Sequence, residues 1–355
     1  MPRILVIAPN WIGDMLMAQP LLTQIKAYTA DSEITVVAPE WVAPVLRYMP
    51  EIDNIIATTF AHGKFNLRAR WQLAQTLRVQ HFDACYVLPN SWKSALLPWL
   101  AGIPLRIGYL GEMRYGFLNR HLPNPSKAQR PPMIQHYAAL NKFKPITALP
   151  VPKLSITDTE IQKTAQLFNI PPHQPLLAFC PGAEFGPAKR WPVSHFAELA
   201  QLAQQAIPDL HIIALGSHKD QPLAQAIGHN VDNLCGATRL EQAVALLARA
   251  DAVITNDSGL MHISAALHRP LIALFGSSDP RHTPPHSDKA IPLWLHLPCS
   301  PCYQRHCPLK HLRCLQDITP TQVMSYLQTI LGNVSNELND APTYHSHESG
   351  NPVPN

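Results

Sequence analysis

The sequence predicts two doubly wound α/β domains facing one another, and three observations lead there. Short, wholly apolar runs alternate with amphipathic stretches, which indicates parallel sheets covered on both faces. The same grammar stops near residue 121 and restarts near residue 176. The length of 355 residues exceeds one ordinary domain.

In the first half the runs Ile4–Ala8, Glu33–Ala38 and Phe82–Leu88 read as strands. Gly13–Tyr28, Asn66–Val79 and Ser91–Leu100 read as helices, the first with Met15, Leu16, Leu21, Leu22 and Ile25 mostly on one side. Residues 121–156 are proline-rich and read as a connection, with one helix over Met133–Phe143. In the second half, Leu176–Cys180, His211–Gly216, Asp251–Thr255 and Leu271–Gly276 read as strands. Ser194–Ala206, Asp220–Ile227, Leu240–Ala250, Ser258–Leu267 and Thr321–Leu331 read as helices. The expected divisions are 1–155, 156–335 and a polar tail, 336–355, expected to be disordered.

Composition narrows the class. The chain is 46% hydrophobic and 15% charged, enough for substantial cores. A net charge of +4 gives no nucleic-acid footprint, and leaves room for a phosphorylated ligand or an anionic membrane surface. The N-terminal apolar run is too short for a signal peptide, and no window approaches a membrane span. A soluble, cytoplasmic protein is expected.

Ligands of such folds bind beyond the carboxyl ends of the strands, so the residues after each strand carry the argument. After the first comes Pro9–Leu16, with Gly13 for a tight turn and Asp14 at a helix start. Asp14 fits equally a helix cap and a base pointed into a cleft. After Asp251–Thr255 comes Asn256–His262, "NDSGLMH". Its Asp257, Ser258, Gly259 and His262 lie where a helix N-terminus offers free N–H groups to a phosphate. A plain cap explains Asp257 or Ser258, but not the whole group.

After Leu176–Cys180 comes Pro181–Pro192, "PGAEFGPAKRWP". Gly182 and Gly186 allow close backbone approach. Lys189 and Arg190 sit at a helix start, where the dipole disfavours cations by roughly 0.3–1 kcal/mol. An anion joining them would resolve that conflict. A solvated basic turn is the other reading.

These loops, with "LPNSWKSALLPWLAGIPLRIGY" and "GEMRYGFLN", resemble the ADP-heptose:lipopolysaccharide heptosyltransferases over roughly residues 1–335, with the pattern of the type II enzymes. The resemblance implies a GT-B fold and inverting transfer from ADP-L-glycero-β-D-manno-heptose to the first heptose of a Kdo-lipid A inner core, with no metal or cofactor in the chemistry. It implies Asp14 as general base and Lys189 as the cation that stabilises departing ADP. It implies Gly182, Ala183, Glu184, Asp257, Ser258, Gly259 and His262 around the donor. Lys93, Arg114 and Arg106 become candidates for the anionic, lipid-linked acceptor, which in turn implies peripheral contact with the cytoplasmic face of the inner membrane. Arg190 receives no role and is expected to face solvent. The rival readings are a type I heptosyltransferase, another GT-B nucleotide-sugar enzyme such as an epimerase, and a nucleotide-sugar-binding protein without catalysis.

One feature lies outside those motifs. Cys299, Cys302, Cys307 and Cys314 crowd one segment, with His306 and His311 among them. They read either as free thiols in a loop or as ligands of a structural metal.

Overall fold

The computed structural model describes residues 1–60, 66–126, 129–141 and 149–339. The first half runs β1 (Arg3–Ile7), α1 (Ile12–Tyr28), β2 (Glu33–Pro39), α2 (Ala43–Leu46), β3 (Asn54–Thr58), α3 (Leu67–Arg78), β4 (Ala84–Val87), α4 (Trp92–Leu100), β5 (Leu105–Tyr109), β6 (Arg120–Leu122) and α5 (Met133–Ala138). The second runs α6 (Asp158–Leu167), β7 (Leu176–Cys180), α7 (Val193–Ala206), β8 (His211–Ala214), α8 (Gln221–Ile227), β9 (Asp232–Asn233), α9 (Leu240–Arg249), β10 (Ala252–Asn256), α10 (Gly259–Ala266), β11 (Leu271–Leu274), β12 (Ala290–Leu293), α11 (Arg313–Gln316) and α12 (Pro320–Asn339).

The strands form two six-stranded sheets, ordered β3-β2-β1-β4-β5-β6 and β12-β11-β10-β7-β8-β9. The pairings are parallel throughout, with Ile7 between Val37 and Val87 in the first sheet and Ile254 between Phe179 and Ile272 in the second. Numbered within its own half, each sheet has the doubly wound order 3-2-1-4-5-6. The order reverses between β1 and β4, and between β7 and β10. Those reversals open crevices at the strands' carboxyl ends. The loops after β1, β4, β7 and β10 therefore stand where ligands bind such sheets.

The apolar runs explain the central strands: every residue of β7 and β10 is buried. Helix α1 is buried on nearly all sides, because it packs against α5 and, from the other half, α10. One core runs from Val6 and Val36 through Met15 and Leu16 of α1 to Met261 and Ile263 of α10 and on to Val253. Gln19, buried in α1, bonds to Glu51 and, in both directions, to the Lys153 backbone. Leu154 N donates to Ala266 O, and Ser155 N to Tyr48 O, so the crossing chain is tied to both halves. We propose the division between domains at this crossing, residues 155 and 156.

Several elements differ from expectation. Strands β3, β5, β6, β9 and β12 and helices α2, α6 and α11 add to those read from the sequence. Helix α12 continues past Leu331 to Asn339, so residues 336–339 of the tail are helical; 340–355 lie outside the described residues. Of the expected Met133–Phe143 helix, Met133–Ala138 is helical, and residues 142–148 lie outside the described residues.

Candidate active site

Helix α1 opens without a side-chain cap: Trp11 occupies that position and Asp14 falls inside the first turn. Asp14 is thus not the cap that its place in the sequence allowed. What surrounds it comes from the other half of the molecule. A Cβ added to Gly13 would lie 2.6 Å from His262 Cδ2, and one on Gly259 would lie 3.3 Å from Ile12 Cβ. The first turns of α1 and α10 therefore press together, and glycine at 13 is what permits it. Burial raises the Asp14 carboxyl to about 6; Asp257 adds to the rise and Lys189 opposes it. A carboxylate poised near neutrality, facing a cation and a second carboxylate, is the pattern of a proton-transfer group.

Across from Asp14, Lys189 Nζ lies 2.5 Å from Asp257 Oδ2. Lys189 closes a short 3-10 turn, Pro187–Lys189, and Asp257 directly follows β10. The two loops on either side of the second switch point are thereby joined through their charges. His262, one turn into α10, is buried, and burial holds it down at about 4, so it is neutral at pH 7. Ser258 Oγ is buried without a hydrogen-bond partner and does not cap α10. Asp257, Ser258, Gly259 and His262 come together here as the sequence suggested.

Asn256 was not singled out from the sequence, and it organises the loop after β7. Its side chain is fully buried, accepts from Trp191 N at 3.0 Å and donates to Pro181 O at 2.7 Å. One amide thus pins both ends of "PGAEFGPAKRWP". Trp191 is buried beneath it and donates to Ile318 O. An acidic neighbour explains Gly182: a Cβ there would meet the Asp220 carboxyl group at 2.4 Å. Ala183 is buried, while Glu184 is exposed and paired with Lys219 at 2.7 Å. Arg190 does not simply face solvent. It donates to Ala183 O and approaches Asp220, which ties the loop to the turn after β8.

The first sheet supplies a second cavity, of about 280 Å³, at the carboxyl ends of β1, β2 and β4. Lys93, Ser91 and Ser94 line it, with Arg70 and Phe60. Arg70 was also not singled out. Its guanidinium stacks 4.3 Å from the Phe60 ring, it donates to Lys93 O, and its Nε is buried without a partner. Arg114, expected at the acceptor, lies inside the first half. It is completely buried and donates through its two terminal nitrogens to Pro89 O, Asn90 Oδ1 and Tyr109 O, while its Nε is buried without a partner. Arg106 likewise donates to Phe117 O and Ile103 O. Both arginines brace their loops through these bonds.

Two doubly wound sheets whose switch-point loops meet, one bringing a carboxylate and the other a cation beside a helix N-terminus, define a glycosyltransferase of the GT-B class. The chain belongs to glycosyltransferase family 9, the heptosyltransferases, whose model matches residues 70–313. It is 41% identical over 345 residues to lipopolysaccharide heptosyltransferase 2 of Escherichia coli strain K12, covering 93% of this chain and 98% of that one. It is 43% identical over 307 residues to lipooligosaccharide heptosyltransferase 2 of Haemophilus influenzae, covering 81% and 87%. The solved structure of the E. coli ADP-heptose lipopolysaccharide heptosyltransferase II superposes with a TM-score of 0.83 at 39% identity, covering 94% of this chain and 99% of that one.

Proposed function

We propose that the protein transfers heptose from ADP-L-glycero-β-D-manno-heptose to the first heptose of a lipid-linked inner core, adding the second heptose of lipopolysaccharide. The observation that carries the reaction type is the placement of Asp14 against the Lys189–Asp257 pair, across the two halves of the fold. The similarity to type 2 lipopolysaccharide and lipooligosaccharide heptosyltransferases supports the choice of donor and acceptor.

On this reading the acceptor hydroxyl attacks the anomeric carbon of the donor. The bond from that carbon to the phosphate oxygen breaks, ADP departs, and the configuration inverts. The hydroxyl proton passes to Asp14. A base with its pKa near 6 is ionised at neutral pH yet still basic enough to accept a proton as the new bond forms. Negative charge develops on the leaving diphosphate. Lys189 meets it directly, and the free N–H groups at the start of α10 meet it through Ser258 and Gly259. Asp257 contacts hydroxyl groups of the donor sugar. His262, neutral and wedged against Gly13, holds the two first turns in register. Gly182, Ala183 and Glu184 form the wall of the donor pocket. This distribution of positive charge supports a reaction that draws on no metal or cofactor.

Lys93, beside Arg70 in the cavity of the first sheet, faces the anionic groups of the acceptor. We place the protein at the cytoplasmic face of the inner membrane, in peripheral contact with it. That follows from a lipid-linked acceptor, a net charge of +4, and the finding that no helix among the described residues is long and apolar enough to cross a membrane.

The test is ADP release and product mass with a panel of acceptors: Kdo-lipid A carrying no heptose or one heptose. Transfer to the one-heptose acceptor alone is expected. Transfer only to the heptose-free acceptor would assign the protein to the first addition instead, and donor isomerisation without any acceptor would make it an epimerase.

A further inference from the structure

The four clustered cysteines take no part in the chemistry above, yet the fold brings them together. Cys299, Cys302, Cys307 and Cys314, with His311, line one cavity of about 20 Å³. A space of that size holds about one small occupant. All four thiols are free of disulfides. Cys314 lies in the short helix α11, buried at the edge of the core, and the other three thiols line the same cavity. Cys307 begins a turn whose backbone N–H groups, from Leu309, Lys310, His311 and Leu312, point at its sulfur.

The segment carrying Cys299, Cys302 and Cys307, residues 294–312, has neither helix nor strand. It holds four non-glycine residues at positive φ: His296 (52°), Tyr303 (55°), Lys310 (58°) and Leu312 (48°). Each costs about 1 kcal/mol in an L-residue. A loop so strained needs something to hold it. Four soft ligands around a one-ion cavity supply the means.

We propose that Cys299, Cys302, Cys307 and Cys314 bind one thiophilic divalent ion in tetrahedral geometry, with zinc as the metal such a closed four-sulfur set favours. Among the described residues no group of three or more His, Cys, Asp or Glu side chains is set to hold a metal ion as it stands. Closing this one takes side-chain rotation of cysteines that already share a cavity.

The ion's role is to fix the loop that backs the donor site. Ala188 lines the same cavity, and its N–H donates to Arg305 O at 3.1 Å. Gly186, at φ 152°, packs so closely on Arg305 that an added Cβ would lie 2.7 Å from its carbonyl oxygen. Tyr303 N donates to Ser277 O, and Ser300 Oγ to Gly276 O. The thiol loop is thus bonded to the turn that carries Lys189, and to the strand end beside it.

Elemental analysis of the untagged, full-length protein, purified without chelator, tests the site. About one zinc or iron per chain is expected, released as a mercurial reagent titrates the cluster thiols; either metal supports the site, and the analysis says which fills it. In Cys302→Ser/Cys307→Ser the content should fall below about one-tenth of an ion. Less than about one-tenth of an ion in the unmodified protein, with the cluster thiols freely reactive or joined as disulfides, would overturn the proposal. So would full metal content retained in the double variant. If that variant does not fold, metal content and thiol-coupled release in the unmodified protein decide the question.

Discussion

Lys189 Nζ and Asp257 Oδ2 are 2.5 Å apart, with the lysine side chain 17% and the aspartate side chain 5% exposed. Each neutralises a charge the other loop would otherwise bury alone. The donor's diphosphate would give Lys189 a second anionic partner without stripping Asp257 of its first.

Breaking that pair has a separable signature. Lys189→Ala should destabilise the fold by about 3 kcal/mol, because it leaves a buried carboxylate uncompensated. It should also weaken ADP binding by roughly tenfold or more, through loss of a charge-assisted contact. Adding Asp257→Asn should restore most of the stability and none of the ADP affinity. Urea unfolding and calorimetric ADP titration on the two variants measure both effects. A single variant as stable as the parent would mean the pair is not electrostatically coupled as described.

Gly13→Ala probes the approach of α1 to α10. The new methyl would lie 2.6 Å from His262 Cδ2, and both groups are buried. Overpacking of this kind costs roughly 1–3 kcal/mol, and the displaced turn carries Asp14. A lower melting temperature together with slower transfer is expected. Unchanged values for both would show that the two turns separate freely in solution.

The two cations of the first half should separate by readout. Lys93→Ala should raise the acceptor KM by about tenfold while leaving the melting temperature unmoved, as for loss of an exposed ionic contact. Arg114→Ala should instead destabilise by about 2–4 kcal/mol, since Pro89 O and Tyr109 O lose their donor in a buried setting. Thermal melts with acceptor-dependence curves check both. A stable Arg114→Ala protein with a raised acceptor KM would return Arg114 to the acceptor site.

The sheet centres and the loops after them were legible because fully apolar runs and glycine-bearing turns are strong local signals. The edges were not. Strand β9 is only Asp232–Asn233 and β6 only Arg120–Leu122, so neither shows an apolar run, and the run in β3 is just Ile55–Ala57, in a strand that is half exposed. Helix α6 did carry a signal, the Thr157–Glu160 capping box, which locates its start once it is sought. At the site, residue types at strand ends pointed to Asp14, to the Lys189–Arg190 pair and to the Asp257–His262 group, and the resemblance gave Asp14 and Lys189 their separate roles. They could not identify Asn256 or Arg70, whose parts depend on chain segments brought near by folding. The bonds of Arg114 were hidden for the same reason: an arginine in a loop looks alike in sequence whether or not it bonds three of its own chain's oxygens.

Asp14 also carries a pH dependence. Its pKa rises from 3.8 to about 6 on folding, so the folded protein holds this proton more tightly than the unfolded chain. The associated stability is present below about pH 4 and is lost as pH rises through about 6. At pH 8, Asp14→Asn should therefore be more stable than the parent by roughly 1–3 kcal/mol, and that difference should vanish near pH 4. Denaturation at the two pH values measures it.

The most direct test of the central claim compares single-turnover transfer and ADP affinity in the parent and in Asp14→Asn. A base opposite an intact donor site predicts transfer slowed by roughly a thousandfold or more, ADP affinity changed by less than about twofold, and a parent rate that falls below about pH 6. Transfer by Asp14→Asn at the parental rate, with the same pH profile, would contradict it.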